Sequence, residues 1–417
     1  MTGLFTPLTD ESRALINHLP GLINKVFPLP ERFYIRLPRD VAELSRLLTS
    51  GRPERGASYL GKPALLSAHL HYFLPWNIYR LSRLFCSLPP ELKPNDAVND
   101  LGAGPLTLAA ALWISRPTLR NIPLEFRCLD RTAAVLDAGK KFFAALTSGI
   151  NCPWMVRTIR GDIKRNGRLS VEIRGKPAAL SVAVNMYNEL FWEFSPHDTE
   201  GLERFAENQA RMLSSLTESP GSILVVEPGI PRSGEFISLL RSFLMKEGRN
   251  PIAPCTHMGP CPMPGGLTED HFKTGTGGKA RWCHFAFDTE DAPKELHKLS
   301  ATARIPKERA VLSFLLAGGP ALSQRTAGKS EKKMPQVKMT AMEKREKIRV
   351  ISDAFPVGDG KDQGASWGRY GCGKHGLVLV TGSRAALEET PSGALEELTL
   401  NGAKDAKSSA FVAVKKL

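Results

Sequence analysis

The order of apolar and polar positions along the chain predicts a helical start, an alternating middle and a strand-rich end. Apolar residues recur every third or fourth position over 40–49 and 64–88, which is the helical period. From Ala97 to Val226, short apolar runs alternate with helical patterns, as in a doubly wound parallel sheet. Four regions follow from this pattern: a helical N-terminal region (1–92), an α/β domain (93–317), a linker (318–347) and a small β domain (348–417).

The first strand of the α/β domain ends in a glycine turn, within VNDLGAGPLTLAAAL. Gly102 and Gly104 let the backbone pass close to a ligand, and the helix that follows offers free N–H groups. Thr107 stands where a dinucleotide fold has its third glycine, and Asp100 precedes the turn, so pyrophosphate binding is disfavoured. Asp130 ends the second strand, where a carboxylate accepts hydrogen bonds from ribose hydroxyls.

This pattern resembles the class I methyltransferases that use S-adenosylmethionine. The resemblance implies a Rossmann-like α/β fold, with three residues lining the cofactor: Asp100, Gly102 and Gly104. It further implies that Asp130 holds the ribose and that Asp162, in the loop RGDIK, lies near the adenine.

Polar residues follow the fourth strand, where enzymes that methylate base amines carry an N-P-P-Y motif. Asn185 and Asn188 could orient a substrate there, and Tyr187 could stack a base. The alternative is that these residues cap a strand end in a site without chemistry. A nucleophilic cysteine is disfavoured because Pro254-Cys255 and Pro260-Cys261 follow the fifth strand, not the fourth.

Composition changes the picture mainly through charge. The 417 residues are 42% hydrophobic and 24% charged, enough for a large core, and the net charge of +14 favours polyanionic partners. No apolar run reaches membrane-spanning length and the first residues lack a leader pattern, so we expect a cytoplasmic protein without a membrane segment.

Part of this charge is concentrated between Arg325 and Arg349, which contains nine basic and three acidic residues. The stretch has few large apolar residues and is typical of an exposed linker, with a helical pattern over 339–347. It could be a solvated tether or an arm that grips rRNA.

Four of the seven cysteines stand in contexts typical of ligands: Cys255, Cys261, Cys283 and Cys372. An odd cysteine count in a reducing compartment favours metal binding and buried thiols over disulfides. The spacing lacks paired C-x-x-C knuckles, so an iron–sulfur cluster suits it at least as well as zinc. A Cys3His zinc site remains open, because a histidine lies within three residues of several of these cysteines: His257, His284 and His375. The other three thiols, Cys86, Cys128 and Cys152, are expected to be buried structural residues.

Several motifs together resemble one family: DLGAGPLT, VEPGIPRSGEFI, CTHMGPCP with WCHF, and a late YGC. This is the methyltransferase-like family of small-ribosomal-subunit assembly proteins of bacteria and mitochondria, and the resemblance spans roughly Tyr59 to Leu379. It implies a 4Fe-4S cluster on the four cysteines, within a cysteine-rich segment (250–287) completed by Cys372, and a role on the maturing small subunit. The stretch Gly265–Arg281 is longer than the usual gap of the family.

Two functions from different classes follow. The first is a methyltransferase acting on rRNA of the small ribosomal subunit with S-adenosylmethionine. The second is a non-catalytic assembly factor that binds rRNA and is stabilised by an iron–sulfur cluster.

Overall fold

A computed structural model describes residues 3–54, 56, 59–88, 90–192, 194–195, 198–263, 282–319, 344–357, 366–400 and 402–415. Four helices and a π-helical turn form the N-terminal region: α1 (Asp10–Val26), α2 (Glu31–Leu48), α3 (Pro63–Ala68), the π turn (His69–Phe73) and α4 (Leu74–Ser87). The predicted helices over 40–49 and 64–88 are confirmed. Thr9 begins α1 by accepting a hydrogen bond from the backbone N–H of Ser12 at 3.2 Å.

The α/β domain is built on one sheet. Its strands are β1 (Asp96–Leu101), β2 (Leu124–Asp130), β3 (Met155–Arg160), β4 (Ala178–Val184), β5 (Thr217–Pro228), β6 (Asn250–Ala253), β7 (Phe285–Asp288) and β8 (Arg309–Gly318). The order is β3-β2-β1-β4-β5-β8-β6, with β7 also paired to β8. The first five are parallel, and β8 is antiparallel to β5. The order reverses between β1 and β4, so a crevice opens at their carboxyl ends.

Helices cover both faces of this sheet: α5 (Thr107–Ser115), α6 (Ala133–Leu146), α7 (Tyr187–Phe191), α8 (Thr199–Leu216), α9 (Pro231–Lys246) and α10 (Lys294–Thr302). Short 3-10 turns lie at Arg52–Glu54, Tyr59–Gly61 and Pro117–Asn121. Every residue of α5 is buried, because α1 and α4 pack on its outer side. The apolar character of α5 all round its axis follows from this double burial.

A second sheet lies at the C-terminal end. Its strands are β9 (Lys344–Val350), β10 (Phe355–Val357), β11 (Ser366–Gly373), β12 (Gly376–Gly382), β13 (Leu395–Leu400) and β14 (Phe411–Val414), with helix α11 (Arg384–Glu388). The order is β13-β9-β11-β12-β14, with β10 paired to β11. Among the strand pairs that the structure describes in this sheet, β12 and β14 are parallel and the others are antiparallel.

One local prediction is wrong. The helical pattern over 339–347 is overridden where the structure describes it, because Lys344–Val350 form a strand that pairs with β13 and β11. Strand β4 ends at Val184 and α7 begins at Tyr187, so Asn185 and Met186 connect the two. The rest of the linker, 320–343, lies outside the described residues.

The C-terminal sheet packs against the α/β domain. Ile351, Leu377 and Leu379 belong to the same buried cluster as the residues of β1 and β8. Arg349 crosses the junction, because its Nε donates to the carbonyl of Pro254 at 3.0 Å and its Nη1 to that of Gly393 at 2.8 Å. Among the described residues, no helix is long and apolar enough to cross a membrane.

Candidate cofactor cleft and cysteine cavity

A cleft of about 990 Å³ lies between the N-terminal helices and the carboxyl ends of β1, β2 and β4. All five residues predicted to bind the cofactor line it: Asp100, Gly102, Gly104, Asp130 and Asp162. Parallel strands bring these positions together because their carboxyl ends share one edge of the sheet.

The glycine loop adopts a conformation that other residues rarely take. Gly102 has φ +74° and Gly104 has φ +52°. The N–H of Gly102 donates to the carbonyl of Leu129 at 2.9 Å, which ties the loop to the end of β2. A Cβ at Gly102 would lie 2.5 Å from Cγ of Met186, whereas a Cβ at Gly104 would meet its nearest neighbour, Val135, only at 4.0 Å. The space beside Gly104 is therefore open to a ligand.

Asp100 lines the cleft, and one of its carboxylate oxygens has no hydrogen-bond partner among the described residues. The residue is 2% exposed, and its Oδ2 has no hydrogen-bond partner among the described residues. Burial raises the pKa of Asp100 to about 8, and the nearby charge of Asp130 adds to the rise. A buried acceptor without a partner costs about 1–3 kcal/mol, so this oxygen suits a cationic donor from a ligand.

Asp130 is held by the backbone around the glycine loop. Its Oδ2 accepts from the N–H of Gly104 at 3.0 Å, and its Oδ1 accepts from the N–H of Thr132 at 2.8 Å. Burial raises the pKa of this carboxyl, although both hydrogen bonds oppose the rise. Asp162 is more open, and its carboxylate pairs with Nζ of Lys164 at 2.7 Å.

Of the three candidate catalytic residues, two reach the cleft. Asn185 has φ +53°, and its Oδ1 accepts from Arg80 Nη2 at 2.7 Å. Asn188 lines the cleft, but its Nδ2 donates to Glu227 Oε2 and to the carbonyl of Asn185, both at 2.9 Å. Both amides are thus engaged within the protein.

Tyr187 does not face the cleft. Its ring is fully buried, with its centroid 4.9 Å from that of Phe236 and 6.0 Å from that of Phe205. The predicted role of Tyr187 in stacking a base is therefore wrong, because α7 turns this side chain into the core behind β4.

Arg80 lines the cleft and Glu227 holds Asn188 at its edge, and the sequence predicts neither residue. Glu227 ends β5 fully buried and accepts from the backbone N–H of Tyr187 at 2.8 Å and of Asn188 at 3.1 Å. Burial raises the pKa of Glu227 to about 7, against the pull of those hydrogen bonds. The only signal in the sequence is an acid at the end of a strong strand, VVEPG.

An arginine and a tryptophan that both line the cleft form a cation–π pair. The Arg52 guanidinium lies 3.9 Å from the ring centroid of Trp192, which is 39% exposed. Glu189 stands beside it, because its carboxylate pairs with Arg131 at 3.0 Å and accepts from the Tyr59 hydroxyl at 2.9 Å. All five of these side chains line the cleft.

The four predicted metal ligands line a second, smaller cavity between the two sheets: Cys255, Cys261, Cys283 and Cys372. Burial raises the pKa of Cys283 far above its ordinary value, and the three other thiols raise it further. Arg241 Nε donates to Cys255 Sγ at 3.2 Å, and its Nη2 donates to the carbonyl of His257 at 2.8 Å. Cys372 is distant in sequence from the other three cysteines. It lies beside them here because β11 packs against the loop that follows β6.

The three histidines differ in position. His257 Nε2 lies 3.4 Å from Cys372 Sγ at the edge of the cavity. His284 Nδ1 lies 3.2 Å from the carbonyl of Trp282, and His375 Nδ1 lies 2.7 Å from Glu346 Oε2. In the described part of the chain, no three His, Cys, Asp or Glu side chains are arranged to hold a metal ion. The predicted long gap over 265–281 lies outside the described residues.

The remaining thiols are not grouped with these four. Cys128 is fully buried on β2, as predicted, whereas Cys86 and Cys152 are only half-buried. Burial raises the pKa of all three thiols, so each favours the neutral form.

The strand order and the cleft define the class: this is a class I methyltransferase-like fold with N-terminal helices and an added C-terminal sheet. Residues 200–351 match the family described as Rsm22, mitochondrial small ribosomal subunit Rsm22. The family resemblance predicted from the sequence is thereby confirmed over these residues, which include three of the four cysteines and exclude the glycine loop. No curated protein sequence matches the chain.

Solved methyltransferase structures are similar in part. A cyclopropane synthase from Mycobacterium tuberculosis is 11% identical, with 61% of this chain and 85% of that chain covered and a TM-score of 0.29. A TehB-like S-adenosylmethionine-dependent methyltransferase from Corynebacterium glutamicum is 11% identical, with 58% and 87% covered and a TM-score of 0.26. Geranyl diphosphate C-methyltransferase from Streptomyces coelicolor is 12% identical, with 55% and 74% covered and a TM-score of 0.27. At such scores the class rests on the strand order alone.

Proposed function

We propose that this chain is an S-adenosylmethionine-binding, methyltransferase-like protein that acts on the small ribosomal subunit, where it methylates rRNA. The observation that carries the proposal is the unsatisfied carboxylate of Asp100, buried in a cleft behind a left-handed glycine loop. The Rsm22 match over 200–351 supports the subunit as partner, and the net charge of +14 supports contact with RNA.

The residues of the cleft fit the cofactor. When bound, S-adenosylmethionine supplies an electrophilic methyl group on a positively charged sulfur. Asp100 would accept hydrogen bonds from the cofactor ammonium, and the glycine loop would let its backbone approach the ligand. Asp130 keeps acceptor capacity for ribose hydroxyls, since each of its oxygens accepts only one backbone hydrogen bond. Asp162, partly exposed at the same edge of the sheet, would flank the adenine.

Asn185 is the better candidate for orienting a methyl acceptor. It follows β4 directly, lines the cleft and is held by Arg80. Asn188 would act through Glu227 and through the backbone of Asn185, and so is a positioning residue.

The cysteine cavity fits an iron–sulfur cluster. Among the described residues, four thiols and no carboxylate line it, and thiolates are the usual ligands of such clusters. In a 4Fe-4S cluster each cysteine binds a different iron, so the four sulfurs stand further apart than around one zinc ion. Of His257, His284 and His375, only His257 lines the cavity and could replace a thiol in a zinc site. Its contact with Cys372 suits a hydrogen-bond partner of that sulfur equally well. The cluster would join the C-terminal sheet to the α/β domain and thereby contribute folding energy.

The test is methyl transfer from labelled S-adenosylmethionine to immature small subunits from cells that lack the protein. We expect label in the rRNA with the wild-type chain and none with Asp100→Ala. Absence of label, with cofactor binding and subunit binding both intact, contradicts catalysis.

A second function is favoured by one observation, which is that both asparagine amides are already hydrogen-bonded within the protein. In this alternative the protein is a non-catalytic assembly factor, and the cofactor and the cluster stabilise a conformation that binds rRNA. The assembly-factor alternative predicts that an Asn185→Ala variant supports subunit maturation as well as the wild type does. If the protein is an enzyme, the same variant should lose methyl transfer.

A further inference from the structure

Two cations that line the cleft form no ion pair among the described residues. Arg80, on α4, and Lys307, just before β8, both line the cleft. Neither forms an ion pair within the described part of the chain. Arg80 instead donates from Nη2 to Asn185 Oδ1 at 2.7 Å, and its buried Nε has no hydrogen-bond partner among the described residues.

Three other cations that line the cleft do form ion pairs. Arg131 pairs with Glu189 at 3.0 Å, and Arg232 pairs with Glu235 at 2.9 Å. Arg309 pairs with Asp353. Arg80 and Lys307 differ from these three cations because neither forms an ion pair among the described residues. The Glu227 charge acts on Arg80, but its oxygens accept from the backbone N–H groups of Tyr187 and Asn188.

Burial makes the two unpaired charges unfavourable. It lowers the pKa of Arg80 to about 10, against the attraction of the Glu227 charge. It lowers the pKa of Lys307 to about 8, and repulsion from Arg80 adds to this fall. An anion bound between the two groups would offset the fall in both pKa values, because each buried cation would then have a partner of opposite charge.

Their location separates them from the residues assigned to the cofactor. Asp100 and Asp130 lie at the ends of β1 and β2, whereas Arg80 contacts Asn185, which follows β4, and lies 3.5 Å from the carbonyl of Val311 on β8. This is the side on which a methyl acceptor would approach Asn185.

We propose that Arg80 and Lys307 form a phosphate site for the nucleotide that is presented to the cofactor. The proposal rests on the proposed function and adds the substrate class, a nucleotide bound through its own phosphate. A phosphate has several oxygens, so it can accept from the guanidinium and the ammonium together.

The test compares each of the four nucleoside 5′-monophosphates with its nucleoside, with the cofactor site saturated by S-adenosylhomocysteine. We expect the wild-type chain to bind at least one monophosphate about tenfold more tightly than its nucleoside, as charge-assisted hydrogen bonds to phosphate allow. Lys307→Gln and Arg80→Gln should each abolish that preference without weakening S-adenosylhomocysteine. The matched control is Lys298→Gln, on the exposed face of α10, which should keep it.

Three results would overturn the phosphate site: no preference in the wild type, a preference that survives in both variants, or weaker S-adenosylhomocysteine binding with the preference retained. The last result would assign the two cations to the cofactor carboxylate. Failure of the wild type to bind S-adenosylhomocysteine is a separate readout, because it contradicts the proposed function itself. Using two variants guards against misfolding, since Lys307→Gln leaves the Arg80 and Asn185 contact in place.

Discussion

At the scale of single residues, Asp100 is costly to the free protein. Its buried oxygen has no partner among the described residues, and burial raises its pKa from 3.8 to about 8. Binding sites often contain such groups because the ligand, and not the fold, satisfies them. Stability and cofactor affinity should therefore respond in opposite directions when this carboxyl is removed.

We predict that Asp100→Asn stabilises the cofactor-free protein, increasingly as the pH rises. The folded state holds the Asp100 proton above pH 3.8, where the unfolded chain releases it, so wild-type stability falls between pH 3.8 and about 8. The variant lacks this loss and should gain roughly 1–3 kcal/mol at the upper end. Urea unfolding across that range measures it. Exposed Asp137→Asn is the control, and a pH-independent difference between wild type and Asp100→Asn would contradict the assignment.

Gly102 offers a second prediction. Alanine there would combine φ +74° with a 2.5 Å approach to Met186, whereas alanine at Gly149 has φ +80° and nothing within 4 Å. Gly149→Ala should cost about 1 kcal/mol for backbone strain alone, and Gly102→Ala more than that. Only Gly102→Ala should lose S-adenosylmethionine binding. Urea unfolding measures the stability of both variants, and calorimetric titration measures their affinity for S-adenosylmethionine. Equal losses in the two variants would show that the close approach of Gly102 to Met186 does not matter.

The residues that sequence reasoning found are those tied to strand ends. Asp100 and Asp130 follow from the pattern because each ends a parallel strand, and such ends share one edge of the sheet. Tyr187 was misplaced because periodicity does not reveal that α7 begins two residues after Asn185. Arg80 and Lys307 were missed because they lie 227 positions apart in the chain and meet only at the cleft.

At the scale of elements, the cysteine cavity connects the two sheets. Cys255 and Cys261 follow β6, Cys283 precedes β7 and Cys372 lies on β11. Removing one thiol from such a group should lower metal content and loosen the C-terminal sheet together, since metal binding and folding are coupled.

We predict that Cys372→Ser purifies with much less iron and sulfide than wild type and has a lower melting temperature. The matched control is Cys86→Ser, a half-buried thiol on α4, which should keep both. Iron and sulfide assays with thermal unfolding give the answer. Full iron, sulfide and stability in Cys372→Ser would rule out a cluster that joins the sheets, and zinc in place of iron would select the alternative metal.

Strand pairing overrides the local helical pattern at the start of the C-terminal sheet. The helical period over 339–347 is a weak local preference, and β13 and β11 offer the backbone of Lys344–Val350 a ladder of hydrogen bonds instead. Long apolar segments such as α5, β4 and β5 were predictable because burial on both sides leaves few polar positions.

At the scale of the whole molecule, the charge of +14 predicts salt-dependent binding to the small subunit. Charge reversal at Lys332, Lys333, Lys344 and Arg345 should weaken binding by at least tenfold and flatten its salt dependence, because each lost phosphate contact lowers the slope by about 0.7–0.9. Sedimentation with subunits over a salt series measures this. The control reverses four other basic residues: Lys140, Lys141, Arg204 and Lys298. Equal losses in both sets would show that the effect is one of net charge.

The central claim is that the cleft at the carboxyl ends of β1, β2 and β4 binds S-adenosylmethionine. Equilibrium titration of the cofactor into the wild-type chain and into Asp100→Asn tests it most directly, at a pH where both are folded. We expect saturable one-to-one binding to the wild type and binding at least tenfold weaker to the variant, because a charge-assisted hydrogen bond contributes about 1.5–3 kcal/mol. Wild-type protein that binds no cofactor, or a variant that binds as tightly as the wild type, would contradict it.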